Sequence, residues 1–398
     1  MNHIRFLWAA LLLAFFIVPG CQNDPGADTA MGPTDPQTAD ADAITSASHL
    51  GDGADLFAGE SASVYTISNA VSGNAILRFS VSEGGSLSPS GSFETGGTGT
   101  GAGLGSQGAL VKQGTLLFAV NAGSDEISAM RLVKHGLQQV DKVASGGTMP
   151  ISLTVRGDLL YVLNAGGSGN ISGFRGAASG HLRPIPGSTM PLSGAGVAPA
   201  QIGFSPTRMV LVVTEKASNK IVSYEVGHDG RAHGPIVQSS TGDTPFGFDF
   251  TPRGYLVVSD AYGGSPLLSA LSSYRVGHAG TVNLVTGPVQ DMQTAACWVV
   301  ISSDGRFAYT TNFGTNNISG YRVARDGGLT LFGDGGNTAA SDAGPIDMAL
   351  SHNSRILYCL NAGGHSITSY RRDTSGGGLS PLGSVSGIPV GAAGLAAD

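Results

Sequence analysis

Short apolar runs separated by small polar turns follow one another along most of the chain, and they recur as a unit. In "FAYTTNFGTNNISGYRV", Phe307 to Val323, two β-rich runs flank a turn of Gly and Asn. Val, Ile, Tyr, Phe and Thr favour a pleated, half-buried surface, whereas Gly, Asn and Asp favour turns. Taking the residue before the turn as a marker, Asn312 has counterparts at Asn69, Asn121, Asn164, Glu215, Asp260 and Asn361, about 43 to 52 residues apart. An Ile-x-x-aromatic run follows most of them, as in "LLYVLNAGGSGNISGF" and "ILYCLNAGGHSITSY". That period belongs to a four-stranded propeller blade rather than to a helical repeat.

Each unit reads as four strands. "CWVVISSDGRFAYTTN" places a strand and a turn before the marker strand, and "RDGGLTLFG" supplies a fourth strand after the third. No amphipathic helix intervenes. The first unit opens at "ASVYTISN" without an innermost strand, while the final "PVGAAGLAAD" resembles the start of one, as in "GPIDMALS". Gly394 to Asp398 are therefore expected to complete the first blade and remove an exposed edge. The expected fold is all-β, a seven-bladed β-propeller over residues 61–398, closed by a C-terminal strand in the first blade. Stacked β-sandwiches would leave seven like units unexplained. Gly at 62 of 398 residues is about twice the usual share, as tight turns demand.

The beginning of the chain has a different composition. "MNHIRFLWAALLLAFFIVPGC" carries an apolar run from Phe6 to Val18 that is short for a membrane span and reads as a secretory signal over residues 1–20. "VPGC" resembles a bacterial lipobox, which implies acylation of Cys21. An ordinary signal peptide cut nearby is the alternative. Residues 21–60 are expected to be a disordered leash, with eight acidic residues from 22 to 60, no Lys or Arg, and few large apolar side chains. The expected address is an exported envelope lipoprotein, at the outer membrane because Gln22 rather than Asp follows the cysteine. The membrane is then met only through the lipid anchor.

Residues 61–398 balance twenty acidic against twenty basic side chains, so the ring is neutral and nucleic acid, which needs a basic face, is not an expected partner. A small molecule bound by a monomer is the expectation. Cys297 and Cys359 fall in neighbouring blades, and nothing in the sequence places them within bridging distance.

The markers end second strands, so they share the face formed by the second-to-third-strand turns and the loops entering the inner strands. Asn there is expected to serve turn geometry through its own backbone and a left-handed conformation. Glu215 and Asp260 replace Asn in adjacent blades and are the candidate catalytic pair, as general base and partner or as ligands of a divalent cation, with solvated rim charge as the alternative. Gln107, Gln201, Trp298, Asp347 and Lys216 are candidate substrate-binding residues on the same face. The Gly-rich "ETGGTGTGAGLGSQGAL", Glu94 to Leu110, reads as a plain flexible connection or as a loop that covers the channel and offers backbone donors to a ligand. It lacks the strand-then-helix setting of a phosphate loop. His residues lie in other turns, and no G-x-S-x-G or H-E-x-x-H motif occurs.

Across residues 62–398 the units, with "SPTRMVLVVTEKASNKIVSYEV" the clearest, resemble the seven-bladed lactonase family that includes 6-phosphogluconolactonase and carboxymuconate cyclase. The resemblance implies a propeller and a lactone-opening activity with an acidic residue at Glu215. Family enzymes carry a His at the inner-strand start of the third blade and an Arg-His pair at that of the fourth. Here those places read "MPIS", Met149 to Ser152, and "APAQ", Ala198 to Gln201. Two readings follow: a hydrolase for a neutral or weakly charged lactone, or a non-catalytic propeller that binds a ligand, glycan or protein.

Overall fold

The computed structural model describes residues 62–398. The apolar leader, Cys21 and the acidic stretch 22–60 lie outside the described residues. Seven antiparallel sheets follow one another, and all but the first run from an inner to an outer strand in chain order. The fourth blade shows the plan, with strands Pro199–Phe204, Val210–Glu215, Lys220–Val226 and Ala232–Ser239. In the third and sixth blades the outer strand is split into two short pieces. Apart from strands, the described residues hold only two short 3-10 turns, at Tyr262–Gly264 and His278–Gly280.

The ring closes as the sequence implies. Ala393–Ala397 pairs antiparallel with Ser63–Ile67 and supplies the inner strand of the first blade, with Tyr65 opposite Ala396. Ser63 N–H donates to Asp398 Oδ2 at 2.9 Å, and Thr66 Oγ1 donates to Ala393 O at 3.1 Å. Leu395 is buried against the inner strands of its neighbours.

The repeated Ile-x-x-aromatic run has a packing reason. Its Ile is buried between blades, and its Tyr reaches the outer strand of the preceding blade. Tyr224 Oη donates to Pro191 O at 2.8 Å, Tyr321 Oη to Val289 O at 3.0 Å and Tyr370 Oη to Ala340 O at 2.8 Å. An aromatic body fills the gap between sheets while its hydroxyl is satisfied at the far end. Cys359 is a buried free thiol, so no bridge joins it to Cys297.

Closure makes the last strand matter more than its length suggests. Burying a Leu side chain is worth about 2 kcal/mol, and about 1 kcal/mol moves the melting point of a domain of roughly 200 residues by about 2–4 °C. Deleting Gly394 to Asp398 is expected to lower Tm by several degrees in a calorimetric scan. An unchanged Tm would show that the first blade does not need its fourth strand.

Candidate functional site

Most marker side chains do not serve turn geometry, contrary to the expectation from sequence. At Asn121, Asn164, Asp260, Asn312 and Asn361 they meet the third strand. Asn312 Nδ2 donates to Asn317 Oδ1 at 2.9 Å and to Ser319 Oγ at 2.8 Å, Asn361 Nδ2 to Thr368 Oγ1 at 2.9 Å, and Asn121 Nδ2 to Ser128 Oγ at 2.8 Å. The left-handed residue sits four positions later, at Asp125, Asn219, Asn316 and His365, with φ between 48° and 58°. Three of these also tie the blades together. Asp125 Oδ1, Asn219 Oδ1 and Asn316 Oδ1 accept from the N–H of Met149, Thr244 and Gly344 in the next blade's entry loop. Of the markers only Asn69 is itself left-handed.

Glu215 and Asp260 are not solvated rim charges, because both are fully buried. Glu215 Oε1 accepts from Ser193 N at 2.9 Å, and Oε2 accepts from Ser193 Oγ and from Ser218 Oγ at 2.7 Å. Its replacement of Asn comes with a second change. The third-strand position that holds Ser319 or Thr368 in other blades is Val222 here, opposite Val213, so the loop residue Ser193 supplies the hydroxyl instead. Burial raises the Glu215 pKa against the pull of these hydrogen bonds. Asp260 Oδ2 accepts from Ser272 Oγ at 2.5 Å, while Oδ1 has no partner among the described residues. Gly242 seals it: a Cβ there would stand 2.2 Å from Asp260 Cγ. Burial pushes the Asp260 pKa up to about 7. The two carboxyls share no hydrogen-bond partner, and no group of three or more His, Cys, Asp or Glu among the described residues is placed to hold a metal ion.

The remaining candidates assemble a plug rather than an open pocket. The Gly-rich loop enters the channel mouth, where Lys216 Nζ donates to Gly105 O at 2.7 Å and Trp298 Nε1 donates to Ser106 O at 2.8 Å. Phe246 lies beneath both, 4.6 Å from Lys216 Nζ and 4.9 Å from the Trp298 ring. Gln107 crosses the channel, donating from Nε2 to Val299 O at 2.7 Å and accepting at Oε1 from Val299 N at 3.1 Å. Only glycine fits at 247, since a Cβ would stand 2.4 Å from Gln107 Oε1. Gln201 repeats the bridge to both backbone groups of Phe248, at 2.9 and 2.7 Å.

Below the plug the channel is open from the opposite face. A cavity of about 350 Å³ is lined by Lys112, Gln201, Phe204, Asp249, Phe250 and Asp347, and a shallower basin of about 560 Å³ follows at its mouth. Asp347 therefore faces this cavity rather than the plugged mouth. Burial pushes its pKa up to about 7, and its Oδ2 makes no hydrogen bond within normal geometry. Asp249, which the sequence reading passed over, is raised to about 6 by burial while accepting from the N–H of Ile301 and of Phe250. Ser193 and Ser218 were also missed. Their only sequence signal is that Glu215 lacks the usual third-strand hydroxyl.

The model of the family described as lactonase, 7-bladed β-propeller, matches residues 274–394. Over that stretch this seven-bladed propeller is similar to the lactonase family. A 6-phosphogluconolactonase of Pectobacterium carotovorum is 23% identical over 257 residues, covering 64% of this chain and 68% of that protein. Among solved structures, the periplasmic gluconolactonase of Pseudomonas aeruginosa superposes with a TM-score of 0.65 at 18% identity, covering 83% of this chain and 98% of its own. A protein from Lactobacillus plantarum gives 0.68 at 20% identity, covering 85% and 99%. At these identities the superpositions speak for the fold alone.

The buried Asp260 carboxyl has a titration signature. The native Asp260 pKa, about 7, lies above the ordinary value of about 3.9. Between these pH values the native state holds the proton longer than the unfolded state does. The carboxyl's contribution is therefore greatest below about pH 4 and declines as pH rises toward 7. Asp260→Asn lacks that decline, so its Tm relative to wild type is expected to rise across this window. A Tm difference independent of pH would contradict it.

Proposed function

We propose that the protein hydrolyses a lactone or related ring ester of little charge, with Glu215 as general base. The observation that carries this reading is the environment of Glu215. It is an acidic departure from the chain's own Asn series, at the position where the resembling enzymes are acidic, and burial raises its proton affinity above that of an ordinary carboxylate. In such a reaction water adds to the ring carbonyl, Glu215 accepts the water proton, and the ring C–O bond breaks with return of that proton to the leaving alkoxide. Both Glu215 oxygens are covered by Ser193 and Ser218, so turnover requires the loop that carries Ser193 to lift away.

One observation favours a second reading, a propeller that binds a ligand, glycan or protein without chemistry. The mouth on the Glu215 face is filled by the Gly-rich loop, and Lys216, Trp298 and Gln107 are engaged in holding it. A panel of neutral aldonolactones and aliphatic lactones, with and without divalent metal, separates the two. For an opened lactone, Glu215→Gln is expected to lower kcat by about 10²-fold or more with KM little changed. Turnover by the variant at the wild-type rate would remove Glu215 from the mechanism, and no opened lactone would leave the binding reading in front.

The cellular address rests on residues before the ring. We propose export and acylation at Cys21, so a labelled fatty acid is expected to enter the wild type and not Cys21→Ser. Equal labelling of both would refute the anchor.

A further inference from the structure

The balance of charge in the ring hides a separation by face, in line with the arginines that the sequence places in the first-to-second-strand turns. In every blade the first-to-second and third-to-fourth turns lie at the same end of the sheet. Every arginine among the described residues belongs to that face. Arg156, Arg208, Arg253, Arg306 and Arg355 lie in or beside first-to-second turns, and the others lie at third-strand ends or outer turns. Arg78 joins them by donating from Nε to Ser63 Oγ at 2.9 Å. With Lys112 and Lys134, this face gathers all the ring's basic side chains except Lys142, Lys216 and Lys220, yet fewer than half of its carboxylates.

Little of this charge is cancelled. Among the described residues the face's ion pairs are Lys112 to Asp398 at 2.8 Å, and the exposed pairs Arg231 to Asp229 at 3.3 Å and Arg306 to Asp304 at 3.9 Å. Guanidinium groups are anchored instead on carbonyls of the next blade. Arg156 Nη1 donates to Ser205 O at 2.6 Å, Arg322 Nη2 to Gly376 O at 3.1 Å and Arg306 Nη2 to Ser375 O at 3.3 Å. A carbonyl satisfies the N–H without neutralising the cation, so the face keeps a net positive field.

The described chain begins on this same face. Ser63 is bonded to Asp398, which with Lys112, Ser303, Ser351 and His352 lines the basin of about 560 Å³ at the open end of the channel. Immediately before the ring, residues 22–60 carry eight carboxylates and no Lys or Arg. We propose that this acidic stretch docks across the basic face of its own ring. Attachment next to Ser63 makes the encounter intramolecular, at an effective concentration on the order of millimolar. Its electrostatic origin makes it sensitive to salt, because the screening length falls from about 8 Å at physiological ionic strength to about 3 Å at 1 M.

A carbodiimide, which joins a carboxylate to a lysine amine without a spacer, tests this on the full-length protein. The expected product is a monomer in which a peptide from residues 22–60 is joined to Lys112 or Lys134, lost at about 1 M salt. A full-length variant with the eight acidic residues changed to Asn or Gln is expected to elute from immobilised heparin at higher salt than wild type, because its face is uncovered. Links to Lys142, Lys216 or Lys220 in place of those two, or equal heparin retention of the two proteins, would overturn the proposal. So would equally tight binding of both proteins to phosphatidylglycerol vesicles or duplex DNA, since the face would then be open to outside anions.

Discussion

A propeller pairs each inner strand on one side only, so the backbone groups facing the channel must find partners that no sheet provides. An unpaired buried N–H or C=O costs about as much as a lost hydrogen bond, and seven inner strands multiply that cost. This chain meets the need with side chains that imitate a strand. Gln201 presents an amide to both backbone groups of Phe248 in the neighbouring blade, Gln107 does the same for Val299 across the channel, and Asp249, Ser152 and Thr154 accept from the N–H of Ile301, Ile202 and Phe204. Polar residues at the channel are thus committed to the architecture before any ligand arrives. Chemistry is left to groups the lattice of rungs does not use, which explains the isolation of Asp347 Oδ2.

The fold was legible because it is written many times over. The alternation of apolar runs, the marker residue and the missing inner strand of the first unit each return the same architecture, down to the strand at Ala393–Ala397. The site was less legible, since polar side chains have more than one use and sequence position does not choose among them. Gln107 and Trp298 lie at the channel mouth as expected, but they hold a plug there. The Asn series was read as turn geometry because turns favour Asn, whereas the left-handed residue lies four positions beyond. Charge was legible only by position: a net count sums over both faces, while the alternation of chain direction within a blade sends the arginines of the first-to-second turns to one of them.

Glu215 and Asp260 show how one repeat position accommodates an acid in two ways. At Asp260 the third-strand hydroxyl is kept at Ser272 and the carboxyl takes the place of an amide with little rearrangement. At Glu215 the longer side chain meets an apolar Val222, and the hydroxyl comes from outside the sheet. Ordinary turnover of the repeat accounts for the first. At the second the third-strand residue is apolar and the hydroxyl is drawn from an adjoining loop, so this blade departs from the repeat at more than one position.

Because the first blade takes its inner strand from the far end of the chain, ring closure is a kinetic event as well as a contact. Val64 pairs with Ala397 across nearly the whole ring, and contacts of such long sequence separation form only after a large loop has been brought together. Until then the six other blades form an open arc. One end presents Ser63–Ile67, five buried residues in the finished ring, as an unpaired edge competent to add a strand from another molecule. The interval between synthesis of the last blade and capture of its final strand is thus the period of greatest exposure to aggregation.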